Sequence, residues 1–226
     1  MPFLQNQTSG GLLSQEQRIA HDGNLWVVNC QTPGTAIAFA QLTGWSATAN
    51  GLFVIQNKNA AGSDINIYLK RLSLFQTATV ATGTALSFEA YNETGIVAGI
   101  TAVVTRTPIQ VNSGKVQTTG AVVQAFNAGA ITIPAAVGTR TLTGQGWIAV
   151  GVNVIKDVYV MDFGSDAPLS SSRGLTAARA TDNGLLVGQM PAVVIPPQST
   201  SWINMWGPGS ATPSYEYNLT YVEKQG

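Results

Sequence analysis

Asn66-Ile67-Tyr68-Leu69-Lys70-Arg71-Leu72-Ser73-Leu74 alternates apolar and polar side chains and then changes parity. Ile65, Ile67 and Leu69 fall on one face of an extended chain, whereas Leu72 and Leu74 continue on the opposite parity. A period of two marks a half-buried strand. One extra residue near Arg71 would return both leucines to the first face, so a β-bulge is expected there.

Strand signals continue in both directions. Ala36 to Gln41 and Leu52 to Gln56 are short and bounded by glycine. Leu86, Phe88 and Ala90 alternate with Ser87, Glu89 and Tyr91. Further runs cover Ile96 to Thr105, Trp147 to Val154, Val158 to Asp162, Val193 to Ile195, Ser201 to Trp206 and Tyr215 to Glu223. Nine or ten strands with glycine, proline and asparagine punctuation predict an antiparallel β-sandwich or barrel. In the last run Tyr215, Tyr217, Leu219 and Tyr221 share a face, which predicts an aromatic surface packed on a second sheet. Helix signals are few. Ser14-Gln15-Glu16-Gln17 fits a capping box that starts one or two turns before Gly23, and Leu175 to Ala180 could form another turn. Gly164 to Gln189 lacks strand periodicity and reads as a functional loop or an excursion onto a neighbour.

Composition excludes several classes. Charged residues are 10% of the 226, against about 25% in an ordinary soluble domain, and the net charge is zero. A chain this apolar is not disordered. No apolar run reaches the length of a membrane-spanning helix. A neutral chain lacks the field of a general nucleic-acid binder. The lone Cys30 cannot form an intrachain disulfide and sits after the apolar Leu25-Trp26-Val27-Val28, so it reads as buried and inert, in a chain made in a reducing cytoplasm. His21 is the only histidine, beside Asp22, and reads as an exposed turn residue. The first residues show neither the basic nor the apolar region of a signal peptide.

Candidate chemistry is sparse. Asp162-Phe163-Gly164 matches the kinase magnesium triplet without any other kinase element, and reads as a strand end turning at glycine. Asp157, Asp162, Asp166 and Asp182 could supply oxygens to calcium, but at no EF-hand spacing. Ser170-Ser171-Ser172-Arg173-Gly174 lacks the lysine and spacing of a phosphate cradle. Glu89 and Glu93 are the one close glutamate pair; four residues apart on a strand they stand about 13 Å apart, too wide for a glycosidase pair, and read as solvent-exposed. Trp202 and Trp206 are also four apart; core or subunit-interface packing is expected of them, with sugar stacking as the other use. No catalytic residue, cofactor site or metal site is singled out, and no enzyme activity is expected.

Twenty-two charged residues leave most of the surface neutral, and large obligate interfaces are depleted in charge. The chain is therefore expected to work in a multimer. Asn66 to Leu74 and Thr200 to Trp206 resemble the paired long strands of phage capsid-decoration (cement) and minor capsid proteins, which are single jelly-roll virion proteins. The resemblance is one of pattern and covers most of the chain. It implies a jelly-roll-like antiparallel β-sandwich with short helical turns, made of an N-terminal arm (1–24) and one sandwich domain (25–226). It also implies a homo-oligomer, often a trimer, bound to the major capsid protein of an icosahedral shell, without membrane contact. Residues 1–30 hold one basic residue, Arg18, so direct nucleic-acid binding is not expected and an outer decoration role fits better than a genome-lining coat. Phe3, Leu4, Leu12 and Leu13 are the expected capsid-tether anchors. Trp202, Trp206, Tyr215, Tyr217 and Tyr221 are the expected core or interface aromatics. The competing class is a receptor- or carbohydrate-binding sandwich of a viral fibre or spike.

Overall fold

A computed structural model of the chain describes residues 14–30, 37–38, 53–78, 86–101, 103–115, 117–126, 134–148, 158–164, 185–206 and 214–225. One helix, α1 (Gln15–His21), precedes β1 (Leu25–Asn29), β2 (Ile37–Ala38), β3 (Phe53–Asn57), β4 (Ile65–Ala78) and β5 (Leu86–Thr94). Then come β6 (Val103–Arg106), β7 (Ile109–Gln110), β8 (Ala121–Phe126), β9 (Arg140–Ile148) and β10 (Val158–Phe163). The chain finishes with β11 (Leu185–Met190), β12 (Val194–Ile195), β13 (Ser199–Trp206) and β14 (Ser214–Gln225).

The strands form two sheets. Sheet I runs β11-β10-β4-β14-β1-β7, with β12 added on β4 and β2 on β14; sheet II runs β6-β8-β3-β13-β5-β9. Eight strands make the frame. The first pairs with the last, β1 with β14. Moving inward, β3 pairs with β13, β4 with β10 and β5 with β9, all antiparallel. This nesting is one long hairpin wound over itself, the double Greek key of a jelly roll.

The bulge lies at Lys70. Arg71 faces Thr220 of β14 while Leu69 faces Tyr221, which leaves Lys70 as the extra residue. Ile67 and Leu69 before it, and Leu72 and Leu74 after it, are all buried as a result. The kink also divides the far edge of β4: β10 pairs along Arg71–Phe75 and β12 along Ile67–Tyr68.

The aromatic face of β14 forms the centre of the core. Tyr215, Tyr217, Leu219 and Tyr221 are buried. Phe53 of sheet II meets Tyr217 edge-on at 4.7 Å between ring centres, and Tyr159 meets Tyr215 at 5.8 Å. Trp26 stacks on Tyr221 within 10° of parallel. Each fully buried side chain of this size contributes roughly 1.5–3 kcal/mol over its exposed state.

The capping box forms as expected. Gln17 N donates to Ser14 Oγ (3.1 Å) and Ser14 N to Gln17 Oε1 (2.8 Å). His21 is the exposed last residue of α1, and Gly23 turns the chain at φ +83°. The segment after the helix is fastened to the body: Asn112 Nδ2 donates to His21 O, Gln110 Nε2 to Gly23 O and Glu223 N to Asn24 O. Residues 14–24 thus form a clasp on the sandwich.

Several elements depart from the expected pattern. Of the described residues in the run Ile96 to Thr105, only 103–105 are strand, with Thr101 an isolated bridge. Gly95 and Gly99 adopt φ of +108° and +76°, which breaks an extended run. Gly164 to Gln189 contains most of β11, which lies parallel to β10. The strand expected from Trp147 begins at Arg140. β8 and the two-residue β7 had no counterpart among the expected strands. The helical turn expected at 175–180 lies outside the described residues.

Candidate functional site

β5 and β9 bring together two residues far apart in sequence. Their register sets Glu93 opposite Arg140, and Arg140 Nε donates to Glu93 Oε2 at 2.7 Å. The Glu93 side chain is fully buried and that of Arg140 is 13% exposed. Glu93 Oε1 accepts from the backbone N–H groups of Val137 and Gly138. The guanidinium also donates to Pro134 O at 3.1 Å and lies 4.4 Å above the Trp202 ring. Glu93 is therefore not the solvent-facing residue expected. It ends β5 beneath residues 134–139, and its carboxylate satisfies backbone donors that no sheet ladder reaches.

The neighbouring outer positions of sheet II are closed in the same way. Gln56 Nε2 donates to Val97 O at 2.6 Å. Thr200 Oγ1 donates to Gly95 O and accepts from Val97 N. Trp202 is 1% exposed on this face, so it offers no stacking platform for a sugar. Trp206 ends β13, and its side chain lies outside the described residues, as do Phe3, Leu4, Leu12 and Leu13. Glu89 shares the face of Glu93 and accepts from the Tyr91 hydroxyl at 2.6 Å. With Glu93 committed to Arg140, the two glutamates are not a facing acid–base pair.

Other candidate residues have structural roles. Asp162 pairs with Arg71 at 2.7 Å on the open face of sheet I, Phe163 is buried, and Gly164 turns the chain at φ +69°. Asp162-Phe163-Gly164 is thus a strand end. Asp157, Asp166 and Asp182 lie outside the described residues. Cys30 is a buried free thiol whose Sγ accepts from Tyr217 N at 3.2 Å. Burial pushes that thiol above its ordinary pKa, which disfavours the reactive thiolate. Tyr215, Tyr217 and Tyr221 all point into the core rather than onto a surface.

The outer face of sheet I is different. Val27, Ser73, Phe75, Val160, Asn218 and Thr220 alternate with core residues and remain half-exposed. Among the described residues of this sheet's central strands, the face carries Lys70, the Arg71–Asp162 pair, Glu216 and, at its end, Lys224, and Glu16 of α1 lines the same hollow as Lys70, Arg71 and Asp162. Ile109, which pairs with Val27, and nearby Val111 are 46% and 48% exposed. Among the described residues the arrangement is a half-exposed surface on one sheet, uncharged around Val27, Phe75 and Val160 and charged at the Lys70–Arg71–Asp162 corner, while residues 95–100 and 134–139 close over the other. The uncharged part of such a surface can bury area at small desolvation cost. Comparison of the chain with protein-family models, with curated proteins and with solved structures returns no match.

Proposed function

We propose that the chain is a structural virion protein. It assembles as a homo-oligomer, a trimer, on the outside of an icosahedral capsid, where it acts as a decoration or cement protein on the major capsid protein. The observation that carries this reading is the contrast between the two outer faces. Sheet II is covered by residues 95–100 and 134–139, whereas on sheet I, among the described residues, Val27, Ser73, Phe75, Val160 and Thr220 stay half-exposed beside the charged corner of Glu16, Lys70, Arg71 and Asp162. A charge-poor jelly roll with that asymmetry suits a part of a larger assembly. The commitment of Glu93 to a structural ion pair argues against a hydrolytic use of the Glu89–Glu93 pair.

The test is reconstitution. Purified full-length protein is mixed with undecorated shells across a salt series, and bound copies are counted by negative-stain microscopy and gel densitometry. Many copies per shell, retained at about 0.5 M salt, are expected, since salt screens exposed ion pairs but leaves apolar burial intact. Deletion of residues 2–13, which removes Phe3, Leu4, Leu12 and Leu13 but spares the α1 clasp, is expected to weaken attachment. A protein that stays monomeric and binds no shell would end the proposal.

A further inference from the structure

A hollow of about 360 Å³ opens at the end of the sandwich where β1 and β4 begin and β14 finishes. Asn24, Trp26, Gln117, Glu223 and Gln225 line it, with Ile65, Thr118 and Lys224 completing the wall. We propose that this hollow binds a neutral carbohydrate, one pyranose residue at a time. This goes beyond a role in capsid assembly and does not depend on it.

Size sets the first limit. The hollow, about 360 Å³, has room for one pyranose ring together with ordered water. It lies at the small end of the range for ligand sites. The lining sets the second. Three amide side chains, Asn24, Gln117 and Gln225, each offer a donor and an acceptor, the pairing that adjacent hydroxyls require. Gln117 is only loosely held: its bonds to Asp22 O and from Gln110 Nε2 are both 3.4 Å long, so its amide is free to turn to a ligand.

Glu223 is the fixed point of the site. Its Oε1 accepts from Asn59 Nδ2 (2.7 Å) and Gly120 N (2.9 Å), and its Oε2 accepts from the Thr119 hydroxyl. A carboxylate has about four acceptor positions, so three are filled and one on Oε2 remains for a hydroxyl donor. Ile65 and the margin of Trp26, which is 5% exposed, supply a small apolar edge for the C–H groups of a sugar, without an open ring face for stacking. The one carboxylate and the one ammonium, Lys224, cancel, so the lining selects for no net charge.

The test uses the full-length protein and the methyl glycosides of glucose, galactose, mannose and N-acetylglucosamine as probes, each titrated to about 50 mM by saturation-transfer NMR and calorimetry. Binding of at least one glycoside is expected, with millimolar affinity. Gln117→Ala with Gln225→Ala is expected to weaken it tenfold or more without changing the melting temperature, because both side chains are exposed. Thr105→Ala, on the far edge strand β6, is expected to leave it unchanged. No binding by any of the four glycosides would overturn the proposal. So would binding that survives the double substitution, or a preference for glucuronate or a zwitterionic amino acid over the neutral sugars.

Discussion

Replacing Arg140 by methionine keeps most of the side-chain length but leaves the Glu93 carboxylate with only the N–H groups of Val137 and Gly138. Breaking one half of a buried pair costs about 3–5 kcal/mol, because the remaining charge stays out of water. Loss of the guanidinium from the Trp202 face accounts for about 0.5–2 kcal/mol of that. For a chain of this size each kcal/mol moves the melting point roughly 2–4 °C, so Arg140→Met should melt about 10 °C below the parent. Glu93→Gln retains an acceptor for both backbone donors but unpairs the 13%-exposed guanidinium, at about 1.5–3 kcal/mol.

The double variant separates charge pairing from packing. With both charges gone, the amide can still serve Val137 and Gly138, and the methionine can still cover Trp202. Neutral replacement of a buried pair is often close to neutral in stability. The double variant is therefore expected to be more stable than Arg140→Met alone, with a coupling of about 2 kcal/mol or more in a cycle of urea melts. Amide exchange at Val137 and Gly138 should accelerate in the singles and recover in the double. Additivity within about 0.5 kcal/mol would refute the claim that the two side chains act as one buried unit.

Four further outcomes are expected. Changing Tyr215, Tyr217 or Tyr221 to serine should each cost on the order of 3 kcal/mol in urea melts, because all three are buried; three silent substitutions would contradict their place in the core. Burial raises the hydroxyl pKa of Tyr91, Tyr217 and Tyr221, Tyr217 to about 12, while the unfolded value is about 10. Stability should thus be full below pH 10 and fall as pH rises toward 12, since the unfolded chain loses its protons first; Tyr217→Phe should flatten that slope, and identical slopes would count against it. A Cβ on Gly120 would overlap the Asn59 amide that holds Glu223, so Gly120→Ala should cost about 1–3 kcal/mol, and an unchanged melting point would show a looser corner. Deleting Lys70 should give a folded protein, because Leu69 and Leu72 then alternate without a bulge, whereas deleting Ser73 reverses the parity of Leu74 and should abolish folding; equal behaviour would refute the bulge assignment.

What the sequence revealed was local. The parity break around Lys70 and the tyrosines of β14 each announce a face, and the Ser14–Gln17 box announces a helix start, because the interactions they report span only a few residues. β11 escaped notice because Leu185-Leu186-Val187 is a continuous apolar run, the form a parallel strand takes, with no alternation to find. β8 does alternate, but its inward residues are Ala121, Val123 and Ala125, with Val122 turned outward, so the contrast is weak. β9 begins Arg140-Thr141-Leu142-Thr143-Gly144, and its irregular register opposite Ala90 and Tyr91 hides the period. Glu93 was out of reach for another reason. Its partner lies across a strand pairing whose register no local pattern encodes, and a polar residue at an outer position ordinarily faces water.

The route of the chain explains why that position is dry. In the nested hairpin β5 and β9 are partners, yet the segment between them also builds β8 and β6 beyond the opposite side of sheet II, next to β3. To reach β6 the chain must leave β5 and cross the sheet, and residues 95–100 do so over Thr200 and Gln56. To regain β9 after β8 it must cross back, and residues 134–139 arrive over Glu93 and Arg140. A crossing segment has no ladder of its own, so side chains beneath it must satisfy its N–H and C=O groups. That requirement selects Gln, Thr, Glu and Arg for a buried surface, the residue types that pattern reading assigns to solvent. On the outer face of sheet I, among the described residues, Glu16 of α1 reaches the corner formed by Lys70, Arg71 and Asp162, while elsewhere the positions between core residues include Val27, Phe75, Val160, Ser73 and Thr220, small or apolar and half-exposed. A patch that only water touched would be free to take lysine and glutamate. The uncharged, half-exposed patch of Val27, Ser73, Phe75, Val160 and Thr220, set against a polar but covered sheet II, is the physical reason to look for this protein's partner on sheet I.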